Sequence, residues 1–417
     1  MMPTVPDHFG RSDAESLDRE DELAPLRDEF ILPEGVVYLD GNSLGPLPRR
    51  TVERVRVVLE DEWARGLIRS WNDHGWIDLP GRVAAALAPL LGASPDEVAV
   101  ADSTSVNLFK LLSGATRLRP GRPVILSEKG NFPTDLYVAG GLADTLDGIE
   151  LRLVEREEIP HALDATVAVQ MLTHVDFRSG AMHDMEALTV AAHEAGALAL
   201  WDLAHSAGAV PLALDAWGVD LAVGCGYKYL NGGPGAPSFA FVGRPLQEAF
   251  ETPLRGWMGH AASFAFEPEY RPAPGVDRLL CGTPPILSLA ALECGIETVA
   301  RAGMDRLRSK SVRLTDLFVR LVDQECSGHA LALASPLDST LRGSQVSYRH
   351  PEAYAIAQAL MTRGVIGDFR EPDILRFGFA PAYLRFVDAW DAVAALGGVM
   401  ASREWQRPKF HQRAKVT

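Results

Sequence analysis

The sequence predicts an α/β protein: a large domain with a mostly parallel sheet and helices on both faces, followed by a smaller α+β domain. Two observations carry this. From Val98 onward, short apolar or β-branched runs alternate with amphipathic stretches of helix length. Strands buried on both faces read as continuous apolar runs, and helices between them imply crossover connections. Further on, after two long helical patterns, the texture changes to scattered strands and helices. A chain of 417 residues, 47% hydrophobic and 23% charged, has room for a large core. At about 100–200 residues per domain it accommodates two. The boundaries read as an N-terminal segment, 1–50, packing with the small domain, then a large domain, 51–310, and a small one, 311–417.

Ser12-Asp13-Ala14-Glu15 has the spacing of a capping box, so a short acidic helix opens the chain. Val36 to Leu39 is a strand candidate. Val98-Ala99-Val100, Val124-Ile125-Leu126, Leu151 to Val154, Val167 to Leu172, Ala197 to Trp201 and Leu221-Ala222-Val223 read as the strands of the large sheet. A Pro-rich stretch, Pro268 to Pro285, precedes helical patterns over Ile286–Ala302 and Met304–Gln324. The tail offers strands around Val346 and Leu375–Phe379 and helices near 351–363 and 387–400. No repeat of fixed period is present.

With 40 Lys+Arg against 55 Asp+Glu the formal charge is −15, which disfavours nucleic acid and anionic membranes as partners. Small molecules fit better. The N-terminus lacks the basic and apolar regions of a signal peptide, and no segment reaches about 18 uninterrupted apolar residues. Cys225, Cys281, Cys294 and Cys326 form no C-x-x-C pair, which argues against a zinc cage and a disulfide framework. No metal site is expected, and a cytoplasmic location is.

Three motifs are set aside. Gly41-Asn42-Ser43-Leu44-Gly45 matches the G-x-S-x-G nucleophile elbow, but too few strands precede it, and Pro46 and Pro48 follow where a helix should start. Gly224 and Gly226 could begin a dinucleotide fingerprint, yet the third glycine position holds Tyr229. His193-Glu194 lacks the second histidine of H-E-x-x-H, because Ala197 stands there.

The chemistry concentrates elsewhere. Asp202 ends an apolar strand, and carboxyl ends of strands are where open α/β sheets bind ligands. Lys228 follows 26 residues later between Tyr227 and Tyr229, in a glycine-rich stretch whose small residues would let backbone approach a ligand. A partly desolvated lysine can form a Schiff base. Together they suggest pyridoxal 5′-phosphate (PLP), with lysine on its aldehyde and aspartate on its ring nitrogen. Asp102-Ser103-Thr104-Ser105 opens a helix, where hydroxyls and free amides favour a phosphate. Phe132, within Asn131-Phe132-Pro133-Thr134-Asp135, offers a ring to stack on the pyridine.

With these residues in hand, the sequence resembles the kynureninases, PLP-dependent hydrolases of the aspartate-aminotransferase fold (fold type I). The matching stretches are Tyr38 to Pro46, Ser105 to Leu108, Phe132 to Asp135, Asp202 to His205, Tyr227 to Asn231, Gly256 to His260 and Gly282 to Pro285. The resemblance covers most of the chain. It implies that Lys228 holds the cofactor covalently, that Asp202 and His205 bind the pyridoxal ring, and that Phe132 stacks on it. Thr104, Ser105, Thr134, Asp135, Thr173 and Tyr227 are implied as further cofactor contacts, with Tyr227 also assisting proton transfer. Trp257 and Thr283 match residues that reach the phosphate from the neighbouring subunit, which implies a homodimer with shared sites. Arg376 matches the arginine for the substrate carboxylate, and Trp71 and Asn42 join the substrate pocket. Gly282-Thr283 follows the bacterial branch; animal enzymes have Ser-Asn there.

The implied reaction is hydrolysis of L-kynurenine to anthranilate and L-alanine, in tryptophan degradation. An aminotransferase or a cysteine desulfurase of the same fold is the alternative, with Cys326 the candidate nucleophile for the latter. A non-catalytic binding protein would not require lysine, aspartate and arginine together.

Overall fold

A computed structural model describes residues 8–415. The chain divides into two compact units, the larger comprising Arg50–Asp176 and His183–Ala300. The smaller comprises the residues up to Arg49, Phe177–Met182, and those from Arg301 onward.

The larger unit is built on seven strands: β1 (Val98–Ala101), β2 (Val124–Glu128), β3 (Glu150–Val154), β4 (Val167–Thr173), β5 (Leu198–Asp202), β6 (Leu221–Cys225) and β7 (Ser238–Val242). Their order across the sheet is β1-β7-β6-β5-β4-β2-β3. All run parallel except β7, which pairs antiparallel with β1 and β6. The sequence reading finds the six parallel strands and misses β7, which lies between Gly/Pro-rich segments that mask its period.

Period-2 alternation splits each strand between two faces. Val169, Met171, Leu198, Leu200, Leu221 and Val223 pack with Leu108, Leu111 and Leu112 of helix α1 (Thr104–Leu118) and with Ala139 and Leu142 of α2 (Pro133–Thr145). Trp201 points the other way and donates from Nε1 to Thr189 Oγ1, 3.1 Å away on α3 (Met185–Glu194). Thr173 and Asp202 continue the first face at the carboxyl ends of β4 and β5, beside the start of α2. The alternation that builds the core therefore also aims these two polar side chains.

In the smaller unit, β8 (Ala332–Leu333), β9 (Gln345–Arg349), β10 (Asp368–Arg370) and β11 (Ile374–Gly378) form an antiparallel sheet in the order β8-β9-β11-β10. After helix α4 (Ile286–Ala302), which belongs to the larger unit up to Ala300, comes α5 (Met304–Glu325), whose Phe318 packs on Phe377 and Phe379 at ring distances of 4.8 and 5.2 Å. Helices α6 (Ala353–Met361) and α7 (Phe386–Ser402) complete it. Asp18, on the first helix (Arg11–Arg19), accepts from the N–H groups of Phe386 and Val387 at 2.6 and 3.0 Å, which caps α7. Val37–Tyr38 pairs in parallel with Val365–Ile366.

Several details differ from the sequence reading. The first helix is capped by Gly10, whose N–H donates to Asp13 at 2.8 Å, so the helix starts before the Ser12 box. A boundary at 310/311 would cut α5, whose buried Leu307, Leu314, Phe318 and Leu321 form one continuous stripe. Phe177–Met182 belongs with the smaller unit: Met182 N–H donates to Leu341 O at 2.9 Å, and Gly343 N–H to Gly180 O at 2.8 Å. Local periodicity carries no trace of such a long-range pairing.

Candidate active site

At the carboxyl ends of β4 and β5, Asp202 and Asp135 form a hydrogen-bonded carboxyl pair, 3% and 2% exposed. Burial and the charge of Asp202 push Asp135 well above the usual carboxylate range. Burial raises Asp202 as well, while Lys228 and the Ala204 N–H, 2.7 Å away, favour its charged form. Asp135 thus keeps a proton and donates it toward Asp202. Thr173 Oγ1 lies 3.2 Å from Asp135 Oδ2 and also bonds Asn131 Oδ1. His205 is buried in the turn after β5.

Asn131 is the scaffold the sequence reading passes over. Its Oδ1 accepts from the Phe132 N–H at 2.8 Å, and its Nδ2 donates to Ser127 Oγ at 2.9 Å. Phe132 therefore enters α2 as N-cap with a fixed backbone, half-buried, followed by half-buried Thr134.

A second missed support lies under Thr104 and Ser105, the first two residues of α1, both half-buried. Ser103 caps the helix by accepting from the Val106 N–H at 3.4 Å, and Asp102 has the positive φ of 50°. Fully buried Lys110 bonds both Asp102 and the Leu279 carbonyl, while Asn107 Nδ2 donates to Ala101 O at 2.8 Å. These bonds hold a left-handed turn that side-chain-bearing residues rarely adopt. The free amides of a helix start are thereby presented to an anion.

Lys228 follows β6, half-buried, with Nζ 5.8 Å from the Tyr227 ring centre. Burial pushes the Tyr227 phenol up, and neighbouring Cys225 adds to the shift. The glycines before them serve packing, contrary to the sequence reading. A Cβ on Gly224 would come 2.4 Å from the Phe239 ring, and one on Gly226 2.6 Å from Pro237 O. What they admit is Phe239 of β7, the Pro237 backbone and Leu292.

The remaining larger-unit candidates lie apart from this cluster in their bonding. Trp257 is half-buried against exposed Phe264, rings 5.4 Å apart, and against exposed Phe266 at 6.5 Å. Thr283 is exposed. Trp71 packs edge-on against Trp76, which donates to Glu62 at 2.6 Å.

In the smaller unit Arg376 is 1% exposed on β11. Its Nε donates to Asp368 Oδ1 at 2.8 Å and its Nη2 to Asp368 Oδ2. Nη2 also reaches Ser43 Oγ at 2.8 Å, and Nη1 the Phe177 carbonyl at 2.7 Å. The planar fork expected to face a carboxylate is thus engaged by one of the protein's own. Although burial opposes it, Arg376 holds Asp368 below its ordinary range. Asn42 is fully buried with Oδ1 unpaired and Nδ2 3.4 Å from Gln345 Oε1; Gly378 leaves it room, since a Cβ there would meet Asn42 at 2.0 Å. Cys326 closes α5, 3% exposed, and burial lifts its thiol to about 11. That suits a core residue and not a nucleophile on a mobile loop.

The donor set of the larger unit fits PLP: a buried carboxylate pair for a protonated ring nitrogen, a lysine for the aldehyde, and a helix start for the phosphate. Fold and site together define a PLP-dependent enzyme of fold type I. Solved structures agree on the fold. The cysteine desulfurase of Thermococcus onnurineus NA1 superposes with TM-score 0.79 at 19% identity, covering 91% of this chain and 98% of that one. A C-DES mutant with glycine linked to its PLP cofactor gives 0.80 at 17%, covering 89% and 98%.

Sequence comparison narrows the class. The kynureninase of Pseudomonas fluorescens is 54% identical over 98% of this chain and 99% of its own length, and that of Burkholderia mallei (strain SAVP1) is equally similar. The family model for the kynureninase C-terminal domain matches residues 307–396. The chain belongs to the kynureninase family.

Proposed function

We propose that the chain hydrolyses the Cβ–Cγ bond of L-kynurenine, adding water to give anthranilate and L-alanine. The observation that carries this is the buried Asp135–Asp202 pair in the larger unit, charge-coupled to Lys228, in a chain of this family. Bound PLP supplies an electron sink that stabilises negative charge at the substrate carbons next to its amine.

The chain's own groups do the rest. Lys228 holds the cofactor through Nζ and, once displaced by substrate, takes the proton from Cα. Asp202, kept ionised by the shared proton of Asp135, accepts from the ring nitrogen. Thr104, Ser105 and the amides of α1 would hold the phosphate, and Phe132, His205, Thr134 and Thr173 would contact the rest of the cofactor. Tyr227 retains its phenolic proton at neutral pH and delivers one through Oη to the leaving carbon. Arg376 of the smaller unit receives the substrate carboxylate, and Trp71 and Asn42 are further substrate-binding residues of their own units.

The working form is a homodimer with Trp257 and Thr283 serving the neighbouring site. Exposed Trp63, Leu67, Ile68, Phe264 and Phe266 of the larger unit support that reading. Four unpaired cysteines favour a reducing, cytoplasmic setting. Among the described residues, no helix is long and apolar enough to cross a membrane.

The test is product analysis after incubating purified protein with PLP and L-kynurenine. Equimolar anthranilate and alanine are expected; a keto acid or released sulfide from the corresponding substrates would favour the aminotransferase or desulfurase reading. Mixing a Lys228→Ala chain with a Trp257→Ala, Thr283→Ala chain should restore about one site per heterodimer. Subunit exchange without restored activity would remove both residues from the shared site.

A further inference from the structure

The loop Gly41–Gly45, an elbow in sequence only, carries the hub of a charged cluster in the smaller unit. Ser43 Oγ donates to Asp368 Oδ2 at 2.9 Å and accepts from Arg376 Nη2 at 2.8 Å and Arg370 Nη2 at 3.3 Å. Arg370 Nη2 also lies 2.8 Å from Asp368 Oδ2. Four of the five N–H donors of Arg376 are engaged, leaving one on Nη1. A carboxylate arriving there takes that hydrogen and competes with Ser43 for Nη2.

Asp40 completes the cluster. It precedes this loop, bridges to Gly378, two residues beyond Arg376 on β11, and its carboxyl is hydrogen-bonded with Ser43 and Asp368. The charged or titratable groups acting on it are Asp368, Arg370 and Arg376, with Tyr38 on its own strand. Two guanidiniums and two carboxylates balance. A third carboxylate brought in beside buried Asp368 and Arg376 leaves one negative charge uncompensated, which a partly desolvated site disfavours.

We propose that Asp40 and Asp368 form a charge-exchange pair behind Arg376: Asp368 fixes the guanidinium plane, and Asp40 takes up a proton when an amino-acid carboxylate arrives. Both are positioning residues. The proposal rests on the reading that Arg376 receives the substrate carboxylate. Burial and the charge of Asp368 already push Asp40 up to about 7, so the exchange falls within working pH.

Two measurements on the PLP-loaded enzyme decide it. Calorimetric titration with L-alanine at pH 8, in two buffers of different ionisation enthalpy, should show about one proton more taken up by the parent than by Asp40→Asn, the variant subtracting the protons exchanged by the amines. The KM for L-kynurenine should rise about fivefold from pH 7 to pH 8 with kcat unchanged, and this rise should vanish in Asp40→Asn. An equal proton count in parent and Asp40→Asn overturns the proposal, as does an unchanged KM profile in Asp40→Asn. The underlying reading fails separately, if Arg376→Lys leaves KM where it was.

Discussion

The larger unit and the smaller unit each bury a pair of carboxyl groups that influence one another, and they treat them in opposite ways. Asp202 ends β5 and Asp135 lies in the first turn of α2, with Lys228 as the cation that relieves them, and burial raises both. Asp368 and Asp40 sit between two arginines, and Asp368 falls below its ordinary range while Asp40 rises. The difference lies in what each site lacks. The first is short of positive charge, which a protonated pyridine nitrogen supplies. The second already has its cations and is suited to admit a further anion. Backbone alternation produces the first arrangement, and side-chain bonding around Ser43 produces the second.

The strongest test of the first site is Lys228→Ala. With no other amine placed to hold the aldehyde, the visible absorbance of the lysine-linked cofactor should disappear and turnover should fall by at least about 10³-fold. A persistent visible band, with cofactor trapped by borohydride on another residue, would contradict the assignment. Asp202→Asn is expected to retain cofactor yet lose about 10²-fold in kcat, near 2.7 kcal/mol of barrier, because a neutral amide no longer stabilises the ring cation. A loss below about tenfold would detach Asp202 from the ring nitrogen.

How much of this contrast was legible in the sequence follows from its physical origin. Strands buried on both faces are continuous apolar runs, so β1, β2, β4, β5 and β6 stand out, while the edge strand β3 shows only a short apolar pattern; an acid ending one of them draws notice. Short motifs carry Lys228, Phe132 and Asp135 because neighbouring residues set their backbone. The supports are different. Lys110 reads as an ordinary helix-surface lysine until it is found buried against Asp102, and Asn131 reads as part of a turn until Thr173 is found on it. Asp368 and Arg376 are paired across two strands, a register that residue types alone do not specify. Asp40 is remote from both in the chain and gives no local signal of its altered titration.

Arg376→Lys sharpens the second site. Lysine keeps the charge opposite Asp368, so the fold should hold, but it loses the planar fork that meets Asp368, Ser43 and the incoming carboxylate at once. KM for L-kynurenine should rise by about ten- to hundredfold, as for a lost charge-assisted hydrogen bond, with a smaller change in kcat. Initial-rate kinetics over a wide substrate range separates the two constants. An effect on kcat alone would point to a role in the chemical step.

The smallest effect expected is on stability, and its sign separates the two carboxyls of the second pair. Asp40 binds its proton more tightly folded than unfolded, since its folded value is about 7 against an ordinary 3.8. Its contribution is therefore fully present below the unfolded value and is lost as pH rises through about 7. Above that point the folded protein must hold a buried carboxylate beside Asp368, whereas Asn at this position carries no charge at any pH. Asp40→Asn should thus stabilise the holoenzyme at pH 8 by up to a few kcal/mol, or a few degrees at about 1 °C per kcal/mol for a chain of this length. The gain should shrink toward pH 5, where the parent's folded Asp40 is neutral too. Thermal melts of parent and variant at the two pH values measure it. Because Asp368 is lowered by Arg376, its own contribution runs the opposite way, present above the unfolded value and lost in acid. A gain that grew toward pH 5 would mean that Asp40, like Asp368, is held ionised by the arginines, and the two carboxyls of the smaller unit would then be equivalent.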